Sequence, residues 1–289
     1  MPHSPVPPDH TEPASASPDA VARHYDVLDP YYRRLWGEHL HHGLWATGRE
    51  TVEEATEAMV RLVANQARIG GGWRVVDIGS GYGATARFLA RERGARVTAV
   101  TLSPAQHRHA RSVPVVVPPV DYHLGDFAEA GLPSAAFDAA VAIESLSHVA
   151  ELDRVLAEVV RVLRPGARFV ACIWLSGDAV TPWGRRWVAD PVVREGRLAR
   201  LAPSAFYEDA LRRAGLQVDD VQDRSREVRR TGWVCLRRVA SRILADGEAR
   251  ALVARGGEGI FAWTVPRLWA AYRLGILRYG VFTARKPSA

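Results

Sequence analysis

Lysine is almost missing from this chain of 289 residues: Lys286 is the only one, and every other permanently basic side chain is an arginine. With the abundance of Ala, Gly and Val, this reads as the composition of a high-GC genome. A net charge of +6 would by itself suit a polyanion. Acids are interspersed with the arginines through most of the chain, however, and a nucleic-acid partner is not expected. Cysteine is nearly as scarce. Cys172 and Cys235 build neither a disulfide framework nor a thiolate metal site. Cys172 lies in an apolar run and reads as a buried free thiol, which fits a reducing cytoplasm. No apolar run approaches the roughly 20 residues that cross a bilayer, so stable membrane insertion is not expected. The stretch 1–20 lacks the basic start and apolar core of a signal peptide and reads as a disordered tail.

What remains is 47% hydrophobic, enough for a full α/β core with a cap. No internal repeat appears. Residues 21–72 read as an N-terminal lid segment. Its first part, Val21 to Trp45, is rich in aromatics and histidine and poorly periodic. Its second part, Glu50 to Ile69, has helical spacing with Thr51 as cap and Gly70-Gly-Gly72 as stop. Strands and helices then alternate. Strands are expected at 74–78, 96–102, 120–124, 137–143 and 168–175, and helices at 84–93, 104–112 and 152–163. Gly94 is the expected C-cap of the first of these helices, and Ser103 with Pro104 opens the second. This order predicts a parallel sheet with helices on both faces. A helix over 203–214, a strand over 216–221, irregular Trp-rich helices over 230–272 and a last strand over 277–284 follow. The core is thus 73–289, with cap insertions near 177–201 and 227–275.

Ligands on such sheets bind outside the carboxyl ends of the strands, where the strand order reverses. Asp77-Ile-Gly79-Ser80-Gly81-Tyr-Gly83 falls there, between the first strand and the helix after it. Gly79 and Gly81 admit a ligand close to the backbone. The glycines do not follow the dinucleotide spacing, and an acid stands two places before the first. A pyrophosphate gains nothing from that carboxylate; a cationic amine in a zwitterionic amino-acid tail does.

The loop resembles motif I of class I S-adenosylmethionine-dependent methyltransferases, and further matches follow in order. Thr101-Leu102-Ser-Pro-Ala-Gln106 ends the second strand and is similar to the T-L-S-x-x-Q pattern of the tocopherol, sterol and cyclopropane-fatty-acid subgroup, which bacterial natural-product methyltransferases also resemble. The resemblance implies that Thr101 and Gln106 contact the ribose and that Leu102 between them also belongs to the cofactor site. It implies that Gly125-Asp126-Phe127 holds the adenine, the acid on its amino group and Phe127 on its ring. His24-Tyr25-Asp26 and Trp36 to Trp45 also resemble the subgroup, whose N-terminal segment closes over the cofactor; Tyr25 and His42 are the implied contacts. The implied fold is Rossmann-like, a mostly parallel seven-stranded sheet with the last strand antiparallel, plus a helical cap. The implied cofactor is S-adenosyl-L-methionine.

Glu144-Ser145-Leu-Ser147-His148 is similar to the subgroup's E-S-x-x-H pattern at the end of the fourth strand. His148 can serve as general base or shape the pocket. Glu144 can hold the methionine end of the cofactor or steady positive charge on a carbon acceptor. Members with a His pair carry a second His where this chain has Ser147. His39, His41 and His42 lack an acid or cysteine at a recognised ligand spacing, so no metal is expected. Trp183, Trp187, Trp233, Trp263 and Trp269 suit either an aromatic acceptor wall or the packing of the cap. The arginines of 224–242 are a solvated face or a site for a phosphate or carboxylate substrate. The expected activity is methylation of a small, lipophilic or aromatic natural product at C, O or N. A cyclase that kept the cofactor pocket and a non-catalytic binding protein are the alternatives; oligomeric state stays open.

Overall fold

The computed structural model describes residues 17–35, 37–245, 247 and 260–288. Most of the stretch read as a tail, and Trp36, lie outside the described residues, as does part of the second cap insertion.

Seven strands form one sheet in the order β3-β2-β1-β4-β5-β7-β6. They are β1 (Arg74–Ile78), β2 (Arg96–Thr101), β3 (Asp121–Leu124), β4 (Phe137–Ile143), β5 (Leu163–Ser176), β6 (Gln217–Asp223) and β7 (Leu277–Arg285). Strands β1 to β5 pair in parallel, and β7 runs antiparallel to both β5 and β6. The order reverses between β1 and β4, which places the switch point at their carboxyl ends. Strand β5 starts at Leu163, earlier than the sequence pattern indicates. Leu163 pairs with Phe137, and the register then slips before Arg168 pairs with Ala139. Arg164-Pro-Gly166 is therefore an irregular stretch inside the strand, with Gly166 at φ 78°.

Helices cover both faces. Helix α2 (Val52–Gln66) opens on a capping box between Thr51 and Glu54. With α3 (Ala84–Arg93) it packs Met59, Val63, Phe88 and Leu89 onto Val75, Val97 and Val141 of the sheet. On the other face, α5 (Leu152–Val162) buries Leu152, Val155, Leu156, Val159 and Val162, one apolar stripe at helical spacing. Each such side chain contributes about 1.5–3 kcal/mol by leaving water. Helix α4 (Pro104–Ser112) begins at Ser103, whose Oγ accepts from the Gln106 N–H.

Helix α1 (Pro18–Leu35) starts inside the stretch read as a tail and covers most of the poorly periodic segment. Its hydropathy is misleading because polar groups belong to its inward side. Asp26 Oδ1 accepts from Ser103 Oγ (2.5 Å) and from the Ala105 N–H (3.1 Å) at the start of α4. Asp29 Oδ1 accepts from the Tyr82 hydroxyl at 2.7 Å. Its inward side therefore mixes apolar residues such as Val21 with these carboxylates.

The cap comprises the short turn α6 (Pro182–Gly184), a π-turn at 185–189, α7 (Asp190–Glu195), α9 (Ser225–Val228), α10 (Arg230–Ala245) and α11 (Ile260–Arg273); α8 (Ser204–Arg213) packs on the core between them. Helix α11 lies against α10 and also against α7. Both cysteines are buried and unpaired.

Candidate active site

A cavity of about 570 Å³ opens at the switch point, a size typical of small-molecule sites. Asp77, Gly79, Ser80, Gly81, Thr101, Leu102, Gln106, Gly125, Asp126, Phe127, Glu144, His148 and Tyr25 all line it. Of the expected contacts, Gly83 and His42 do not. Gly83 is the N-cap of α3 at φ 74°, and a Cβ there would lie 2.6 Å from the Tyr122 ring, so it serves packing. His42 stands behind Glu144, for reasons given below.

The glycine loop is fixed from below. Gly79 takes φ 76°, and a Cβ on it would meet Ser145 Cβ at 2.3 Å. Ser145 Oγ in turn donates to the Ile78 carbonyl at 2.6 Å. The two loops that follow β1 and β4 thus meet without room for a methyl group. Gly79→Ala is expected to cost at least about 2 kcal/mol in denaturant unfolding. Gly79→Ala/Ser145→Gly should recover part of that loss, since the second change removes the clash; no recovery would locate the cost in the positive φ alone.

Asp77 closes β1 on the cavity floor. It is buried, its Oδ2 has no hydrogen-bond partner, and burial pushes its carboxyl up to about 7. An unpaired buried carboxylate is costly, and a cationic donor entering the cavity would relieve that cost. Ser80 Oγ is likewise buried and unpartnered. Farther along, Thr101 Oγ1 donates to Gln106 Oε1 (3.0 Å), which leaves the Gln106 amide N–H groups for other acceptors. Asp126 Oδ1 accepts from the Ala128 N–H (2.9 Å) and caps the turn Phe127–Glu129. Gly125, at φ 148°, has open space where a Cβ would stand. One acid, a hydroxyl–amide pair and a second acid therefore lie across the ends of β1, β2 and β3 in sequence.

Glu144 sits at φ 61°, a strained backbone for a non-glycine residue. Its carboxylate is held on all sides. Oε1 accepts from the His42 N–H (2.6 Å) and the Tyr279 hydroxyl (2.8 Å); Oε2 accepts from Trp174 Nε1 (2.8 Å). His42 Nδ1 lies 3.0 Å from Oε1. Burial works against its ionised form, but His42 and then His41 outweigh it and hold the carboxyl at about 2. A carboxylate with its lone pairs so committed is a fixed anion beside the cavity, not a base. Tyr279 and Trp174 were not legible as site residues. Their common signal is the β5–β7 register, which sets Trp174 opposite Tyr279.

This arrangement has a stability consequence. Because the carboxyl is depressed below its usual 4.5, its contribution is present above that pH and is lost as pH falls through about 2. Glu144→Ala leaves the His42 N–H and Nδ1, the Tyr279 hydroxyl and Trp174 Nε1 without their shared partner and is expected to cost about 3–5 kcal/mol by thermal unfolding; a loss under about 1 kcal/mol would show that these groups find other partners.

His148 closes the turn Leu146–His148. Its Nδ1 lies 3.0 Å from the Arg197 carbonyl, which can only accept. That fixes the proton on Nδ1 and the lone pair on Nε2, where the Tyr25 hydroxyl donates at 3.1 Å. Burial pushes the imidazole below its usual 6.5, against weaker upward pulls from the Arg197 carbonyl and Glu144, so the ring is neutral. Burial also raises the Tyr25 phenol. Ser147, where a second His would stand in His-pair members, is buried, and its Oγ accepts from the Trp174 N–H.

His39 Nδ1 lies 3.1 Å from His41 Nε2, and His41 Nδ1 donates to the His42 carbonyl. These rings are bonded to one another, and burial drives His39 down to about 2. Among the described residues no group of three His, Cys, Asp or Glu side chains could hold a metal ion. Trp183, Trp187 and Trp233 are exposed and Trp269 lies off the cavity wall, so none of the four lines the cavity; the Trp263 side chain lies outside the described residues. Among the described residues, the cap's tryptophans therefore form no aromatic wall of this cavity, the first of the two readings open from the sequence.

Residues 76–171 match the family described as a methyltransferase domain. The 27-O-demethylrifamycin SV methyltransferase of Amycolatopsis mediterranei is 30% identical over 94% of this chain and 98% of its own length. The chain belongs to the S-adenosylmethionine-dependent methyltransferases. The chloroplastic tocopherol O-methyltransferase of Arabidopsis thaliana is 26% identical over 92% of this chain and 82% of its own. Among solved structures, the [4+2]-cyclase SpnF superposes with a TM-score of 0.79 at 26% identity, covering 96% of this methyltransferase and 99% of that chain. The residues present fit the family's cofactor, S-adenosylmethionine. The orphaned Asp77 Oδ2 suits the ammonium of its amino-acid tail, and the open space at Gly125 admits its purine side. No helix among the described residues is long and apolar enough to cross a membrane.

Proposed function

We propose that the enzyme methylates a hydroxyl group of a small, uncharged, lipophilic acceptor in bacterial specialised metabolism. The observation that carries this reading is the neutral His148, with its Nε2 lone pair toward the cavity and the Tyr25 hydroxyl already donating to it. An acceptor O–H can take the place of that hydroxyl and pass its proton to Nε2. Bound S-adenosylmethionine supplies an activated methyl group, so the chain's own task is to align, deprotonate and exclude water.

The cavity suits such an acceptor. Pro18, Val21 and Ala22 of α1 face it, together with Val149 and Ala150. Its arginine at the rim, Arg154, is already paired with Glu129 and Glu151. Asp77 and Ser80 would hold the amino-acid tail of the cofactor, Thr101, Leu102 and Gln106 the ribose, and Gly125, Asp126 and Phe127 the adenine. Two relatives, the 27-O-demethylrifamycin SV methyltransferase and the tocopherol O-methyltransferase, are both O-methyltransferases by name.

Likeness to a [4+2]-cyclase keeps a second reading, an S-adenosylmethionine-binding cyclase that transfers no methyl. One assay separates the two. The purified enzyme is given methyl-labelled cofactor and a panel of lipophilic alcohols and phenols with matching amines. The expected result is labelled methyl ether formed one for one with S-adenosylhomocysteine. Label on nitrogen alone would overturn the hydroxyl assignment. An isomerised, unlabelled product would favour the cyclase.

A further inference from the structure

The excess positive charge of this chain is confined to one place. Between Arg224 and Ala245 stand seven arginines and one acid, Glu227. That excess of six equals the formal charge of the whole protein, +6, so the rest of the chain is balanced.

These arginines are ordered. Helix α9 runs through Arg229, which keeps a right-handed helical backbone, into α10. Arg226, Arg229, Arg230, Trp233 and Arg237 are all exposed and follow i, i+3, i+4, i+7, i+11 spacing, which puts them along one helical face. The inner side is packed. Gly232 leaves a would-be Cβ only 3.3 Å from the Trp269 backbone, and Thr231 and Cys235 are buried. Arg224 pairs with Glu227, and Arg230 lies over the Trp45 ring. No carboxylate among the described residues pairs with Arg226, Arg229 or Arg237.

Indoles accompany them. Trp233 is 48% exposed, and on the other flank of α11 Trp183 and Trp187 are 60% and 57% exposed. Arg186 stands over Trp187, and Arg185 is exposed beside it. Three open indoles on one cap serve neither its packing nor the cavity.

We propose that this arginine–tryptophan cap docks on an anionic lipid surface. Arginines near such a surface are drawn to acidic headgroups, and indoles settle at the depth of the headgroups, with the ring in apolar surroundings and the N–H in polar ones. A nucleic acid would use the arginines but leave the three exposed indoles without a role. Helix α1, which faces the cavity, packs against α10. Docking would therefore bring the cavity's lid close to the lipid; its use for collecting a lipophilic acceptor rests on the function proposed above, while docking itself does not.

The test is flotation of the full chain with vesicles of phosphatidylcholine alone or with about one third phosphatidylglycerol. The protein should float with the anionic vesicles only and be released by high salt. Arg226→Glu/Arg229→Glu/Arg237→Glu should weaken partitioning on the order of 100-fold or more while S-adenosylhomocysteine affinity stays unchanged. If that variant does not fold, the corresponding glutamine triple and Trp233→Ser are to be measured, each with a smaller loss expected. No binding of the wild type to anionic vesicles overturns the proposal, as does equal binding by the folded variants. Binding to duplex DNA or heparin without vesicle binding overturns it in favour of a polyanion partner. Because no acceptor or turnover enters the assay, its failure is separate from a failure of the hydroxyl-methylation reading.

Discussion

Asp77→Asn is expected to stabilise the cofactor-free protein and to abolish its affinity for S-adenosylhomocysteine. The two effects have one cause. Burial raises the Asp77 carboxyl from 3.8 to about 7, and its Oδ2 is left without a partner. Between those pH values the unfolded chain has already released the proton that the folded chain retains. Stability therefore declines as pH rises through this window, and above it the full penalty of about 4 kcal/mol stands. Asparagine keeps the shape and removes the ionisation, so the melting temperature of the free protein at pH 8 should rise. Binding responds in the opposite sense. The ammonium of the amino-acid tail is the counter-charge that the site lacks, and without the carboxylate the affinity should fall at least about 100-fold. In the wild type, affinity should weaken as pH drops below 7, because ionised Asp77 must be present. Calorimetry with S-adenosylhomocysteine measures this, and 5′-methylthioadenosine, which has no amino-acid tail, is the control. Equal losses for both ligands would show that Asp77 acts on the loop and not on the tail.

Most of the fold could be read from the sequence because its core elements obey simple periods. The stripe of α5 and the strands β1, β2 and β4 are regular enough to locate within a residue or two. Helix α1 was not, because Asp26 and Asp29 point inward to fasten it onto α4 and the glycine loop. Contacts made by polar groups leave little trace in a hydrophobic pattern, even where apolar residues such as Val21 share the same side. The same limit explains Glu144. Its position at a strand end was visible, but its environment is built from His42, Trp174 and Tyr279, which lie 102, 30 and 135 residues away. The β5–β7 register brings Trp174 and Tyr279 together, and the loop of the N-terminal segment adds His42. Geometry then divides the two candidate catalytic groups: Glu144 is locked as an anion, and His148 is held as a neutral ring whose Nε2 accepts from the Tyr25 hydroxyl.

That division makes His148→Ala the sharpest test of the chemistry. Turnover of a hydroxyl acceptor should fall about 10²- to 10⁴-fold, the usual worth of a general base, while S-adenosylhomocysteine affinity changes by less than about twofold. The pH profile carries independent information. Burial depresses the imidazole below 6.5, so its basic form is already populated at neutrality. At saturating cofactor, which removes the pH dependence of binding through Asp77, the wild-type rate should climb with pH only on the acid side of 6.5 and then stay flat to pH 8. In the variant that limb should disappear. Tyr25→Phe removes the hydroxyl that occupies Nε2 in the free enzyme. If Tyr25 and His148 form one proton path, the double variant should be scarcely slower than His148→Ala, since the residues act as a unit. Multiplicative losses would instead separate them, with Tyr25 placing the acceptor and His148 alone taking its proton. An unchanged rate in His148→Ala would leave only alignment and exclusion of water to the protein, and it would point to an acceptor acidic enough to ionise before it enters the cavity.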